Sequence, residues 1–424
     1  MSQETEIPQR PARQALVDWK HYSLLAVFLA FLGQAAGASS TQALSTVYVF
    51  IQEELGLSRG QVGLLTSSIF AAGSITAFLA GWAVDRYPLR VLFPLTLGCM
   101  GGAFFLFGLG ANFFYFLSIT ALMGALLPVN NPAATRFVIE WAPLRMRGMA
   151  MGLKQASVPT TGAISAAILP ALAVTLGWRP VLFIVGAVIV VSALTLFAGY
   201  RDRTDHGGKA RERHSMKSGL RQVALDPRVL AACLVFIIGI GLYFVTITYL
   251  MLFLIDTLGF TATAAGFGLA AFQVASIAGR ISWGVISDTL MKGRRLPVLM
   301  IIFLLSTFFL GSHAFVDTET PLWVVWALVL GLGFTVASFQ GVYHTHVAEV
   351  VGPSLMGTAM GFIGTVSRIG PVAIPPTFGY IVDASGGDYS TAWLMAAGLA
   401  LFMVFSLVFM GRTTKRSKSD LWSG

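Results

Sequence analysis

The decapeptide Gly81-Trp-Ala-Val-Asp85-Arg86-Tyr-Pro-Leu-Arg90 follows a long apolar stretch, and a worn copy follows another in the second half of the chain: Gly284-Val-Ile-Ser-Asp288, with Arg294 and Arg295 close behind. A second repeat is tighter. Glu140, Gly148, Ala150 and Gly152 recur as Glu349, Gly357, Ala359 and Gly361, each at an offset of 209. Self-similarity between halves means that one structural unit is used twice.

Composition says what kind of unit this is. Of 424 residues, 56% are hydrophobic and only 11% charged, and mean hydropathy is +0.76, whereas a soluble chain has roughly 25% charged residues. A window of about 20 residues, the length that crosses a bilayer as a helix, gives apolar spans at 22–51, 61–83, 91–110, 114–139, 149–173, 180–199, 228–255, 264–286, 296–315, 321–346, 355–382 and 391–411. The expectation is an all-α integral membrane protein of twelve transmembrane helices in two pseudo-symmetric bundles of six. The bundles occupy 22–199 and 228–411, joined by a basic linker at 200–227 and flanked by an arm at 1–21 and a tail at 412–424. The arm carries acids and prolines and no cleavage site, so the first span reads as retained.

With the N-terminus in the cytoplasm, 22 of the 28 Lys and Arg residues fall in the arm, alternate loops and tail, counting Arg228 at the edge of the seventh span, and only Arg59 and Arg179 fall on the far side. Both termini are therefore expected in the cytoplasm. The net charge of +9 is a topology signal, and nucleic acid is not an expected partner. Cys99 and Cys233 lie within spans as packing residues.

The pattern Gly81, Asp85, Arg86, Arg90 resembles the signature loop of the major facilitator superfamily. Trp141-Ala-Pro143 through Arg147-Gly148-Met-Ala150-Met-Gly152 is similar to its loop between spans four and five. The resemblance covers about residues 20–412. Met151-Gly-Leu-Lys154-Gln155 on to Pro159 is similar to bacterial cyanate and nitroimidazole carriers, whereas Gly279-Arg280, Gly284, Asp288 and Arg368 resemble carriers of the monocarboxylate and oxalate type. The resemblance implies a secondary transporter in a cell membrane, the bacterial inner membrane included. Such a protein acts as a monomer and works by rocker-switch exposure of a midplane site to each side in turn. It further implies a latch at the signature loop: Asp85, Arg86 and Arg90, with Asp288 and Arg294 as the worn copy and Glu140 and Glu349 as partners of the basic loops.

Arg368 sits at the midpoint of the eleventh span. An Arg there costs about 2.5–3.5 kcal/mol on insertion scales and stays charged, so it should face a cavity holding something anionic. Arg280 and Gln273 are seven residues apart on one helix face. Lys154 heads a polar stripe with Ser157, Thr161 and Ser165; it either looks into the cavity or pairs structurally. No carboxylate falls near mid-depth, since Asp256 and Asp383 lie at outer span ends and Asp85, Glu140, Asp288 and Glu349 at inner ones. An anionic solute supplies the countercharge. Neutral candidates to contact it are Gln34 and Thr41 of the first span, Tyr243, Gln273 and Gln340, with Asn130 and Asn131 beside Pro132 as further options. Arg136, four residues before Glu140, reads as its local partner.

The expected function is secondary transport of a small organic anion, a carboxylate, with proton symport and anion exchange both open; His344 is one route for a proton. There is no Walker loop and no metal-site spacing, so no cofactor, metal or enzymatic activity is expected. The rival readings are a drug or cation exporter of the same fold, which would keep a membrane carboxylate, and a transporter-like nutrient sensor, which would carry a regulatory domain.

Overall fold

The computed structural model describes residues 12–143, 146–201, 224–351 and 356–420, and every regular element among them is helical. The first half comprises α1 (Ala12–Leu55), α2 (Arg59–Arg86), α3 (Leu89–Gly108), α4 (Phe113–Leu126), α5 (Asn130–Trp141), α6 (Arg147–Leu176) and α7 (Trp178–Gly199). The second comprises α8 (Pro227–Leu258), α9 (Ala262–Asp288), α10 (Arg295–His313), α11 (Leu322–Thr335), α12 (Gln340–Val351), α13 (Met356–Val366), α14 (Ile369–Ala384) and α15 (Ser390–Asp420). Most of the expected linker, the start of the arm and the end of the tail lie outside the described residues.

Local chemistry sets the helix starts. Ser58 and Gln61 form a reciprocal capping box at the head of α2, and Asn112 and Thr261 accept from the backbone of Tyr115 and Ala264 at the heads of α4 and α9. Gly177 turns the chain between α6 and α7 at φ +86°, a conformation that an L side chain resists. The packing repeats as the sequence does. In the first half α3 lies on α7, α2 on α4 and α1 on α6; in the second, α10 lies on α15, α9 on α11 and α8 on α14.

Eleven helices among the described residues are long and apolar enough to cross a membrane. Large apolar side chains such as Ile75, Phe78, Phe114, Phe308 and Trp323 stand exposed on their outer faces, as expected where lipid replaces water. The eleventh expected span, 355–382, is not one helix: α13 and α14 meet at a turn at Ser367 and Arg368. Pro371 explains the break. It has no N–H for the carbonyl of Ser367, and its ring crowds that carbonyl, which instead accepts from Gly370 N at 3.1 Å. Pro132 stands in the same relation to Pro128, and there α4 passes through a short 3₁₀ turn, Leu127–Val129, into α5. A third break separates α11 from α12. There Ser338 Oγ bonds back to Phe334 O, a local competition that bends helices, and α9 side chains take the freed carbonyls: Trp283 Nε1 donates to Phe334 O at 2.7 Å and Arg280 to Ala337 O at 3.3 Å.

The halves meet along α2 with α14 and α6 with α9. At Gly63 and Gly379 any side chain would strike the Tyr249 hydroxyl and, respectively, the backbones of Pro375 and Arg59. Backbone approach this close needs residues without side chains.

Candidate functional site

A cavity of about 620 Å³ lies between the halves. Three cations line it: Lys154 from α6, Arg280 from α9, and Arg368 at the break between α13 and α14. No carboxylate lines it, and none of the three forms an ion pair among the described residues. Gln34, Tyr243, Gln340 and Asn131 line it too, with His344 beside them and Phe70, Phe236 and Phe244 forming aromatic wall.

Each cation is held by neutral oxygens or by none. Lys154 is 1% exposed; its ammonium donates to Asn131 Oδ1 and, at 2.8 Å, to Thr135 Oγ1 on α5. An ammonium has three protons to give, so one remains. Arg280 gives Nε and Nη2 to the single carbonyl of Ala337, both at 3.3 Å, and Nη1 makes no hydrogen bond among the described residues. Arg280 therefore braces the α11–α12 break with two nitrogens and leaves the third unengaged. Arg368 reaches across to the first half, where Gly73 leaves room for Nη1. That nitrogen is buried and without a hydrogen-bond partner, the costliest arrangement for a charged donor unless a ligand completes it.

Two expected contacts do not line the cavity. Thr41 donates to Ala38 O on its own helix at 3.0 Å. Gln273 is fully buried, and its Nε2 donates to Gln42 Oε1 at 2.6 Å, while Gln42 Nε2 donates to Tyr243 OH at 2.9 Å. This Gln42, Gln273, Tyr243 network joins the halves and closes the cavity toward the Arg59 end. Sequence reasoning missed Gln42, which lies one residue off the polar stripe of the first span.

Beyond the network, the Arg59 end is sealed. Arg59 pairs with Asp256 at 2.9 Å, and the Asp383 carboxylate accepts from Arg59 N at 2.9 Å and Gly60 N at 2.8 Å. The Tyr249 hydroxyl sits within hydrogen-bond distance of the carbonyls of Arg59 and Pro375, and Thr66 meets Thr248 at 3.1 Å. The only sequence signal for this seal was the position of these charges at outer span ends.

The other end differs. Asp85, Arg86 and Arg90 are exposed; Arg86 lies over Trp82 at 5.8 Å and Arg90 over Phe197 at 5.6 Å, both within their own half. Arg136 pairs with Glu140 at 2.7 Å and donates to Val84 O. Arg294 is exposed just ahead of α10, and its neighbour Arg295 bridges Asp288 and Glu349, the latter at 3.2 Å. The Arg136–Glu140 and Arg295 ion pairs at this end each lie within one half. No cluster of three or more His, Cys, Asp or Glu side chains there has metal-holding geometry.

Known proteins share this architecture. A nucleoside transporter, NupG, superposes with a TM-score of 0.76 at 16% identity, covering 92% of this chain and 99% of that one. A bacterial homologue of the human lysosomal transporter Spinster, inward-facing and unoccupied, gives 0.71 at 17%, covering 92% and 95%. In sequence the chain is 25% identical over 403 residues to a hexuronate transporter of Bacillus subtilis, covering 90% of this chain and 93% of that one. It is also 25% identical over 377 residues to a probable sulfoacetate transporter of Cupriavidus necator, covering 84% and 86%. The Major Facilitator Superfamily profile matches residues 24–375, and with the repeated helix packing this makes the protein a multi-pass membrane transporter, not an enzyme: the chain belongs to the Major Facilitator Superfamily.

Proposed function

We propose that this transporter moves a small organic anion, a carboxylate, across the cell membrane as a monomer by rocker-switch alternating access. The observation that carries the reading is the cavity between the halves, lined by Lys154, Arg280 and Arg368 and by no carboxylate. Unpaired cations at such depth are costly, and an anionic solute relieves the cost on binding. Relatives named for hexuronate and sulfoacetate support the same class. The chain crosses the bilayer twelve times, counting the broken helix α13–α14, with both termini in the cytoplasm. The state described here is then open to the cytoplasm and closed outside by the Arg59, Asp256, Asp383 seal. Asp85, Arg86, Arg90, Glu140, Asp288, Arg294 and Glu349 latch the opposite end in the alternate state. Proton symport and anion exchange are both consistent with a cavity without carboxylates.

Uptake into proteoliposomes tests the site. Arg368→Gln and Arg280→Gln should each abolish or severely reduce transport while reaching the membrane at parental levels. Parental kinetics in both would dismiss the site. A cation exporter of the same fold would need a carboxylate where the cavity has cations, so the lining disfavours that reading.

A further inference from the structure

Resting on the anion-carrier reading, we infer that the solute has two acidic groups: one is held by Arg280 of the second half, the other by Lys154 of the first, with Arg368 reaching from the second half to the first. The three cations come from three different elements of the two halves. Lys154 projects from α6, whereas Arg280 and Arg368 belong to α9 and to the α13–α14 break in the other half, and all reach the same cavity.

The holders of Lys154 and Arg280 match this division, while the Arg368 guanidinium reaches Gly73 of the first half. Asn131 and Thr135, both on α5 of the first half, fix the Lys154 ammonium with neutral oxygens and leave one proton free. Arg280 is fixed by Ala337 O of its own half with Nη1 unengaged, and Arg368 Nη1 is buried and unpartnered. A monoanion would neutralise one pole and leave the other's buried charge unpaired, which is costly. A solute with an acid at each end neutralises both and ties the halves together. Gln34, Gln340 and Tyr243 suit hydroxyls or other neutral polar groups between the ends, and Phe70, Phe236 and Phe244 suit a carbon backbone.

Matched pairs that differ in one terminus test this on the purified full-length protein: D-glucarate against D-gluconate, succinate against butanoate, and sulfoacetate against acetate. The readouts are thermal stabilisation, which follows ligand affinity by mass action, and calorimetric Kd. The dianion of at least one pair should bind at least tenfold more tightly than its monoanionic partner. Lys154→Gln should bring that ratio to within about threefold of unity by weakening the dianion alone, and Lys154→Arg, which keeps the charge, should retain the preference. Thermal midpoints of the unliganded variants show whether each is folded. The lack of a tenfold dianion preference in every pair, or a dianion preference that survives in folded Lys154→Gln, overturns the two-pole assignment while leaving an anion carrier intact. Binding of cationic drugs with no response to any of the anions overturns the anion-carrier reading itself.

Discussion

Asp383→Asn should shift the protein toward the state open at the Arg59 end. The carboxylate of Asp383, from the last turn of α14, accepts from the first two backbone N–H groups of α2, at 2.9 Å and 2.8 Å. It thus serves as an N-terminal cap supplied by the opposite half, and its charge faces the positive end of the helix dipole. Asn retains one acceptor of similar shape. The substitution exchanges two charge-assisted bonds, about 1.5–3 kcal/mol each, for one neutral bond of about 0.5–1.5 kcal/mol. It also removes a charge–dipole attraction of about 0.3–1 kcal/mol. Water at the opened end recovers part of this, so the net bias is about 2 kcal/mol, or roughly 30-fold in the equilibrium between states. A state populated at about 1% in the parent would rise to about a quarter of molecules. Spin labels at exposed Glu53 and Ser385, placed after Cys99 and Cys233 are changed to Ser, report the separation of the halves at this end. A long-distance population within threefold of the parent's would refute the assignment of Asp383 to the seal.

Gly73→Ala would place a methyl group where Arg368 Nη1 lies, with the carbonyl of Gly124 also close; affinity for the transported anion should fall at least tenfold by calorimetry, since the guanidinium must move. Pro371→Ala restores a donor for the carbonyl of Ser367 and should straighten the α13–α14 break. The expected result is a raised thermal midpoint with slowed counterflow. Asp85→Asn should reduce turnover while leaving ligand affinity within about tenfold, or roughly 1.4 kcal/mol; a loss of binding like that of Arg368→Gln would show that the loop has another role.

The spans were legible because hydropathy measures what lipid demands, and Arg368 was legible because a permanent charge at mid-depth cannot face lipid. What hydropathy does not register is a missing backbone donor, so the span at 355–382 reads as continuous although Pro371 breaks it. Helical spacing gave azimuth but not the level at which the cavity ends. Gln34 and Thr41 share a face, yet only Gln34 lines the cavity: Thr41 lies about two turns further along the helix, at the level of the Gln42, Gln273, Tyr243 network, and turns its hydroxyl to its own backbone. Gln273 points inward as the spacing required, but another amide consumes it. The seal at Arg59 was illegible for a different reason: its partners, Asp256 and Asp383, are distant in sequence, and each alone looks like a loop-edge charge.

The two ends of the molecule use similar residues in opposite ways. At the Arg59 end, charges and capping groups bond across the halves. At the Asp85 end, Arg136 with Glu140, and Arg295 with Asp288 and Glu349, bond within a half. In the proposed cycle, closing the second end therefore exchanges partners at Arg136, Glu140, Arg295, Asp288 and Glu349, alongside new contacts from the exposed Asp85, Arg86, Arg90 and Arg294. Exchange keeps the free-energy gap between the states small, and a small gap is what allows a solute with modest differential affinity to move the equilibrium. Were the Arg295 bridge absent, Asp288 and Glu349 would repel each other and the basic loops would be free to latch early. Arg295→Gln should accordingly favour the state closed at this end, which is the state open at the Arg59 end, so it should shift the equilibrium in the same direction as Asp383→Asn, and the same spin-label pair reads both. A long-distance population in Arg295→Gln no more than threefold the parent's would mean that the charges at the Asp85 end do not set the balance between states.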